Sequence, residues 1–254
     1  MTSHRENYSA CRHGGDSCSE GKDRDVCRRD PGAVLSRDTG PFGILTCMGL
    51  PAGDRELVKI MDLAFANAAI CAGEWLVCRP GCTRCCYGAF AINQLDALRL
   101  REGMERLRRE DPTQAAEVER RAAGWVAENS ADFPGDLETG MLGETDEERA
   151  RFEEYANDAA CPALDPETGR CDVYEWRPMT CRVFGPPVRA QAPDGEGSAL
   201  GHCELCFGGS SPDQIAGCEM QVPHELEQQL VDELPVKGET LVAFTLLRRD
   251  LLQK

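Results

Sequence analysis

From Asp54 onward the chain repeats its apolar positions at helical spacing. In RELVKIMDLAFANAAICAG, Leu57, Ile60, Met61, Leu63, Ala64 and Ala68 gather largely on one side, and Gly73 supplies a C-terminal stop. Cys71, in the last turn, reads as a small buried apolar residue. The spacing returns in FAINQLDALRLREGMERLRRE, with Asn93 as N-cap, Asp96 at the third helical position, and Gly103 as a kink or the end of a first section. PTQAAEVERRAAGWVAEN follows Asp111, and Pro112 suits the first helical position. A fourth helix is predicted from about Thr145 to Asn157, charged on most faces but keeping Phe152 and Tyr155 to pack. PHELEQQLVDEL and ETLVAFTLLRRDLLQ predict two more packing helices, the second amphipathic.

Between these helices the pattern changes. In CPALDPETGRCDVYEWRPMTCRVFGPP, the turn residues Asp165, Pro166 and Gly169 predict a short hairpin that brings Cys161 towards Cys171. Residues 186 to 201 read as a Pro/Gly/Ala/Asp loop, and no internal repeat is visible. Residues 1 to 49 show little apolar periodicity and hold Cys11, Cys18, Cys27 and Cys47 without paired knuckles. They read as a disordered arm, and a start at Met48 or Met61 would leave it untranslated. Residues 50 to 254 form the predicted domain, of α+β class and mainly helical, with helices framing an irregular cysteine-rich core held by metal.

Composition narrows the chemistry. With 44 acidic and 28 basic residues the net charge is -16, which argues against a phosphate-binding surface, so no nucleic-acid partner is expected. No run of about 18 apolar residues occurs, so no membrane span is expected. The N-terminus lacks the apolar run of a secretory signal, which favours a cytoplasmic location. In a reducing compartment, 15 cysteines in 254 residues point to metal or redox chemistry rather than structural disulfides.

Ten of those cysteines lie between Cys78 and Cys218. CRPGCTRCC carries Cys78, Cys82, Cys85 and Cys86. Cys161, Cys171 and Cys181 follow at ten-residue spacing, then the C-x2-C pair Cys203 and Cys206, and a single Cys218. One tetrahedral ion takes four ligands, so the set suits two centres or one polynuclear centre. Adjacent side chains of an extended segment face opposite ways, so Cys85 and Cys86 suit two metals or two sides of one cluster; the alternatives are a vicinal disulfide or one spectator thiol.

The spacing Cys78-x3-Cys82-x2-Cys85-Cys86, followed by CPAL, GRCDVYEWRPMTCRVFG and a late cysteine, resembles the YkgJ-like cysteine-cluster family, also called the CxxCxxCC or zinc- or iron-chelating family. The likeness spans roughly residues 75 to 206, with a first gap of three residues rather than two. It implies metal ligation by Cys78, Cys82, Cys85, Cys86, Cys161, Cys171 and Cys181, with Cys203 or Cys206 as the last ligand; both are carried as candidates. Supporting roles are open for Arg177, as a hydrogen-bond donor to the centre or a surface partner of Glu175 or Asp172. Tyr174, Trp176 and Phe184 are expected to shield the centre, and His202 to be a solvated loop residue rather than a ligand.

All-thiolate ligation in a shielded pocket suits an iron-sulfur cluster, with an electron-transfer or oxidoreductase-associated role and a redox or protein partner. A structural zinc protein is the alternative, since zinc takes the same thiolates. Cys78-x3-Cys82-x2-Cys85 also fits the radical S-adenosylmethionine signature, but the repeated strand-helix units of a barrel are missing. Thiol redox catalysis at Cys203-x2-Cys206 lacks the strand-helix setting that such motifs use.

Overall fold

The computed structural model describes residues 49–191 and 198–247. The arm predicted for residues 1–49, with its four cysteines, lies outside the described residues apart from Gly49. Helix α1 (Asp54–Ala72) buries Leu57, Met61 and Ala68, whereas Leu63, expected on the same face, is exposed. Helix α2 (Gln94–Glu110) starts as predicted, the Asn93 side chain accepting from the Asp96 amide at 2.9 Å. It runs unbroken through Gly103, which is neither a kink nor an end. A Cβ there would stand 2.4 Å from Cγ of Trp176, so the glycine makes room for the indole.

Helix α3 (Pro112–Asn129) carries its proline in the first turn and is capped by Asp111, which accepts from the Gln114 amide. Helix α4 (Asp146–Glu153) opens on a reciprocal Thr145/Glu148 capping box and stops earlier than predicted. Beyond it Tyr155 leaves the helix to pack edge-on against Trp125 and Phe133. Four short antiparallel strands, β1 (Ala91–Asn93), β2 (Gly135–Asp136), β3 (Met141–Leu142) and β8 (Glu239–Leu241), form a sheet of order β1-β8-β3-β2.

Two expectations are corrected here. The last helix was expected from Glu239, but Thr240 and Leu241 are buried in β8, where the Thr240 hydroxyl donates to the Gly140 carbonyl at 2.6 Å. Helix α8 (Val242–Leu247) follows, and Val242 to Leu246 are all buried, so this stretch is a core helix rather than an amphipathic one. Residues 186–201, expected as a loop, hold a hairpin of β6 (Val188–Gln191) and β7 (Ser198–Gly201), with Arg189 opposite Leu200. The predicted hairpin at Gly169 is present as β4 (Leu164–Asp165) against β5 (Arg170–Cys171), with Leu164 opposite Cys171.

Helices α5 (Met179–Val183), α6 (Pro212–Gly217) and α7 (His224–Asp232) complete the described elements. Leu57, Met61, Leu95, Leu98, Met179 and Leu230 join α1, α2, α5 and α7 in one apolar cluster. A second, built from Ile92, Leu100, Met104, Val118, Val242 and Leu246, seats α8 against α2 and α3. The fold is thus mainly helical with small sheets, and most of its described free cysteines occupy the short strands, turns and loops between the long helices.

Candidate metal centre

The loop CRPGCTRCC is folded by two turns. Pro80 and Gly81 form the corner of the first, with Gly81 at φ 90 and the Cys82 amide donating to the Arg79 carbonyl at 2.9 Å. This Pro-Gly corner is the arrangement of a type II turn, whose third residue needs the left-handed region. The Cys86 amide then donates to Thr83 at 2.8 Å, closing a second turn over Arg84–Cys86. The loop divides its thiols between two neighbourhoods.

Cys78 and Cys82 join Cys203 and Cys206. The Cys206 thiol is hydrogen-bonded to both Cys78 and Cys203, and Cys82 lies close enough for its charge to be felt by Cys78 and Cys203. The Cys206 amide donates to Cys203 at 2.8 Å, the turn of a C-x2-C knuckle, and Phe207 at φ 59 then carries the chain away. Cys203 and Cys206 are buried beside Ala72 and Phe207, with Trp75, Leu76 and Cys78 at the edge. The Cys203 amide also donates to the Gly185 carbonyl at 3.1 Å. At Gly185, φ is +124 and a Cβ would fall 2.8 Å from the Cys78 sulfur, so the backbone closes on this group only because the residue is glycine.

Cys85, Cys86, Cys161, Cys171 and Cys181 form the other group. The thiols of Cys85 and Cys86 are hydrogen-bonded, and Cys86 also senses Cys161 and Cys171. Both residues therefore belong to one group, which leaves the two sides of one cluster rather than two separate groups, and both are free, with no vicinal disulfide between them. A backbone ladder joins the segments: Cys161 N donates to Cys86 O at 2.7 Å and Gly88 N to Ala159 O at 2.9 Å. The β4–β5 hairpin brings Cys171 up to Cys161, and α5 delivers Cys181.

The electrostatics suit thiolates held by something cationic. Burial pushes Cys78 up to about 12, with Cys206 adding to it. Burial likewise pushes Cys161 up to about 11, Cys171 up to about 12 and Cys181 well above the ordinary thiol range. These three residues keep partial surface exposure, yet their sulfurs are desolvated. Cys85 goes the other way, down to about 7, because the Cys86 thiol donates to it and its own amide and Arg177 assist. Amides of Ala163 and Leu164 point at the Cys161 sulfur, that of Val173 at Cys171 and that of Leu205 at Cys203. Buried sulfurs supplied with amide donors are what a metal thiolate needs, so the donor set fits a thiophilic metal. Among the described residues, no group of three or more His, Cys, Asp or Glu side chains stands close enough together to hold a metal ion, so ligation requires the sulfurs of each group to draw in.

The family comparison addresses this same stretch: residues 77–194 match the model of the CxxCxxCC family, described as a "Putative zinc- or iron-chelating domain". Neither a curated protein nor a solved structure is found to match the chain. The matched span takes in Cys78 to Cys181 but ends before Cys203 and Cys206. Those two, half of the first thiol group, thus come from outside it.

Around the matched span other expectations change. Cys71 is exposed and is joined by a disulfide to the buried Cys218; it is not a buried apolar residue. That bond ties the end of α1 to the residue following α6, and Cys218 packs in the cluster of Cys203 and Cys206. Arg177 pairs with neither Glu175 nor Asp172. It lies 3.9 Å over the Tyr174 ring and 3.7 Å from Asp62, and its charge favours the thiolates of Cys85 and Cys171. Tyr174 and Phe184 are exposed and shield little, whereas Trp176 packs inward against Gly103. His202 is exposed, its ring against Phe207.

Three arginines escaped the sequence reading. Arg121 donates to Asp172 and to the Pro162 carbonyl, bracing both strands of the Cys161–Cys171 hairpin. Arg182, fully enclosed, bonds Asp62 at 2.7 Å and the carbonyls of Glu175 and Arg177. Arg99 bridges Asp54 and Asp96 in the core, and Asp96 accepts from the Met179 amide at 2.9 Å, two residues before Cys181. The capping position of Asp96 was visible in sequence; its reach across 83 residues to α5 was not.

Proposed function

We propose that the chain is a metalloprotein with two thiolate centres of different kind. Cys78, Cys82, Cys203 and Cys206 would hold one ion tetrahedrally. Cys85, Cys86, Cys161, Cys171 and Cys181 would hold a polynuclear iron-sulfur centre that passes electrons to a redox partner. The observation that carries this reading is the division of the nine free cysteines among the described residues into four and five. Four thiols on two turns match one tetrahedral ion, whose metal–sulfur bonds of about 2.3 Å put sulfurs about 3.8 Å apart, within reach of thiol–thiol hydrogen bonding. Five clustered thiols exceed what one such ion accepts, and iron-sulfur centres are held by thiolates shielded from water.

In a reducing compartment these thiols stay available as ligands. The Cys161 and Cys171 sulfurs sit beside Arg121 and Arg177, whose charges offset those of the thiolates and would tune a potential. A structural zinc reading is favoured for the first centre by its burial in an apolar cluster. The placement of Cys78 and Cys82 in one group and Cys85 in the other supports the two-centre reading over a radical S-adenosylmethionine one.

Anaerobic reconstitution followed by metal and labile-sulfide analysis tests the reading. We expect iron and sulfide together with a visible charge-transfer band. Zinc alone, with no sulfide and no colour, would overturn the iron-sulfur assignment.

A further inference from the structure

Among the described residues one disulfide, Cys71–Cys218, stands beside nine free thiols. Its two ends differ. Cys71 is exposed in the last turn of α1, whereas Cys218 is only 4 % exposed and packs in the apolar cluster of Cys203, Cys206 and Phe207, with Cys78 at the edge. A disulfide opens when a thiolate attacks one of its sulfurs and expels the other, so access decides which sulfur is struck.

The junction is also held without the bond. The Phe207 amide donates to the Trp75 carbonyl at 2.9 Å, the two rings stand 6.2 Å apart, and Ala72 is buried in the same cluster. These contacts fix the end of α1 against the segment that carries Cys203 and Cys206. The Gly217 carbonyl lies 3.4 Å from the Cys71 sulfur, an acceptor for the thiol that opening produces. Opening therefore leaves the two cysteines side by side, and the bond can close again.

We propose that Cys71 is a site of reversible thiolation by a small external thiol, with Cys218 as the sulfur released. The external thiolate bonds to the Cys71 sulfur, the Cys71–Cys218 bond breaks, and its electron pair goes to Cys218, which takes up the proton the external thiol gave up. One disulfide is replaced by another, with no net oxidation. A second external thiol then attacks the external sulfur of the adduct, releasing the small disulfide and leaving Cys71 reduced; alternatively Cys218 attacks Cys71 and restores the original bond. Neither step involves a metal. While the bond is open, Cys218 stands as a further free thiol in the cluster of Cys203 and Cys206, so the sulfur inventory there follows the thiol balance outside.

The probe is reduced glutathione, freed of its disulfide and added anaerobically to the folded full chain, with acid quenching and peptide mapping by mass spectrometry. Reduced glutathione adds only to a cysteine already in a disulfide, so the free thiols stay unmodified. We expect the early adduct on the Cys71 peptide to exceed that on the Cys218 peptide by about tenfold or more, because only Cys71 is accessible. Circular dichroism should stay unchanged as the bond opens, and removing glutathione should restore the disulfide. Cys218→Ser, which leaves Cys71 a free thiol, should take up no adduct. An adduct that falls equally on both peptides or mainly on Cys218, opening only when the fold is lost, or a Cys71 that is already a free thiol after aerobic purification would each overturn the inference.

Discussion

Asp96 shows how one side chain serves two ends of the architecture. Its carboxylate meets Arg99, which Asp54 also claims, and it receives the amide of Met179 at the start of the helix that bears Cys181. Two buried carboxylates share one guanidinium, and burial holds the Asp96 carboxyl up to about 6 against the pull of Arg99. The folded protein therefore keeps this proton more tightly than the unfolded chain, whose value is 3.8. The stability gained from that proton is fully present below the unfolded value and is lost as pH rises through about 6. Asp96→Asn keeps an oxygen for both donors but cannot titrate. The stability of wild type minus variant should fall by on the order of 1–3 kcal/mol between pH 4 and pH 7. Thermal unfolding of both proteins across that range checks it, and a flat difference would show that Asp96 is ionised throughout. Sequence marked Asp96 as part of a helix start because capping is local. Its tie to Met179 depends on tertiary folding, which no spacing reveals.

Elements were legible where one helix end or face decided them. The starts of α2, α3 and α4 carry their caps in three or four adjacent residues, and all three are where the sequence puts them. Strands of two to four residues leave too short a pattern, so β1, β8 and the β6–β7 hairpin went unread. Gly103 was misread for a related reason: a helix glycine reports on its neighbour, and Trp176 lies 73 positions away in sequence. Gly103→Ala weighs the two effects directly. Helix propensity favours alanine by about 1 kcal/mol, but the methyl would enter the indole, and overpacking costs about 1–3 kcal/mol. We expect a net loss of stability with a lower melting temperature; a gain would mean that Trp176 moves aside freely. The Cys71–Cys218 link was also hidden, because its residues are 147 positions apart and only the fold brings α1 and α6 together.

At the scale of the molecule, the two thiol groups rest on different supports. The five-thiol group lies along the second apolar cluster, with Cys161 and Cys171 packed against the core that seats α8 on α2 and α3. The four-thiol group sits in a small cluster of its own with the disulfide at its edge. The number of thiols was plain in the sequence, and so was the need for more than one tetrahedral ion. The partition was not, because Cys82 and Cys85 are three residues apart yet belong to different groups. The most direct test of two independent centres is metal content in paired variants. Cys203→Ser with Cys206→Ser should remove the single ion and leave the polynuclear centre with its sulfide, while Cys161→Ser with Cys171→Ser should do the reverse. Loss of all metal from either variant would show one shared centre and contradict the account.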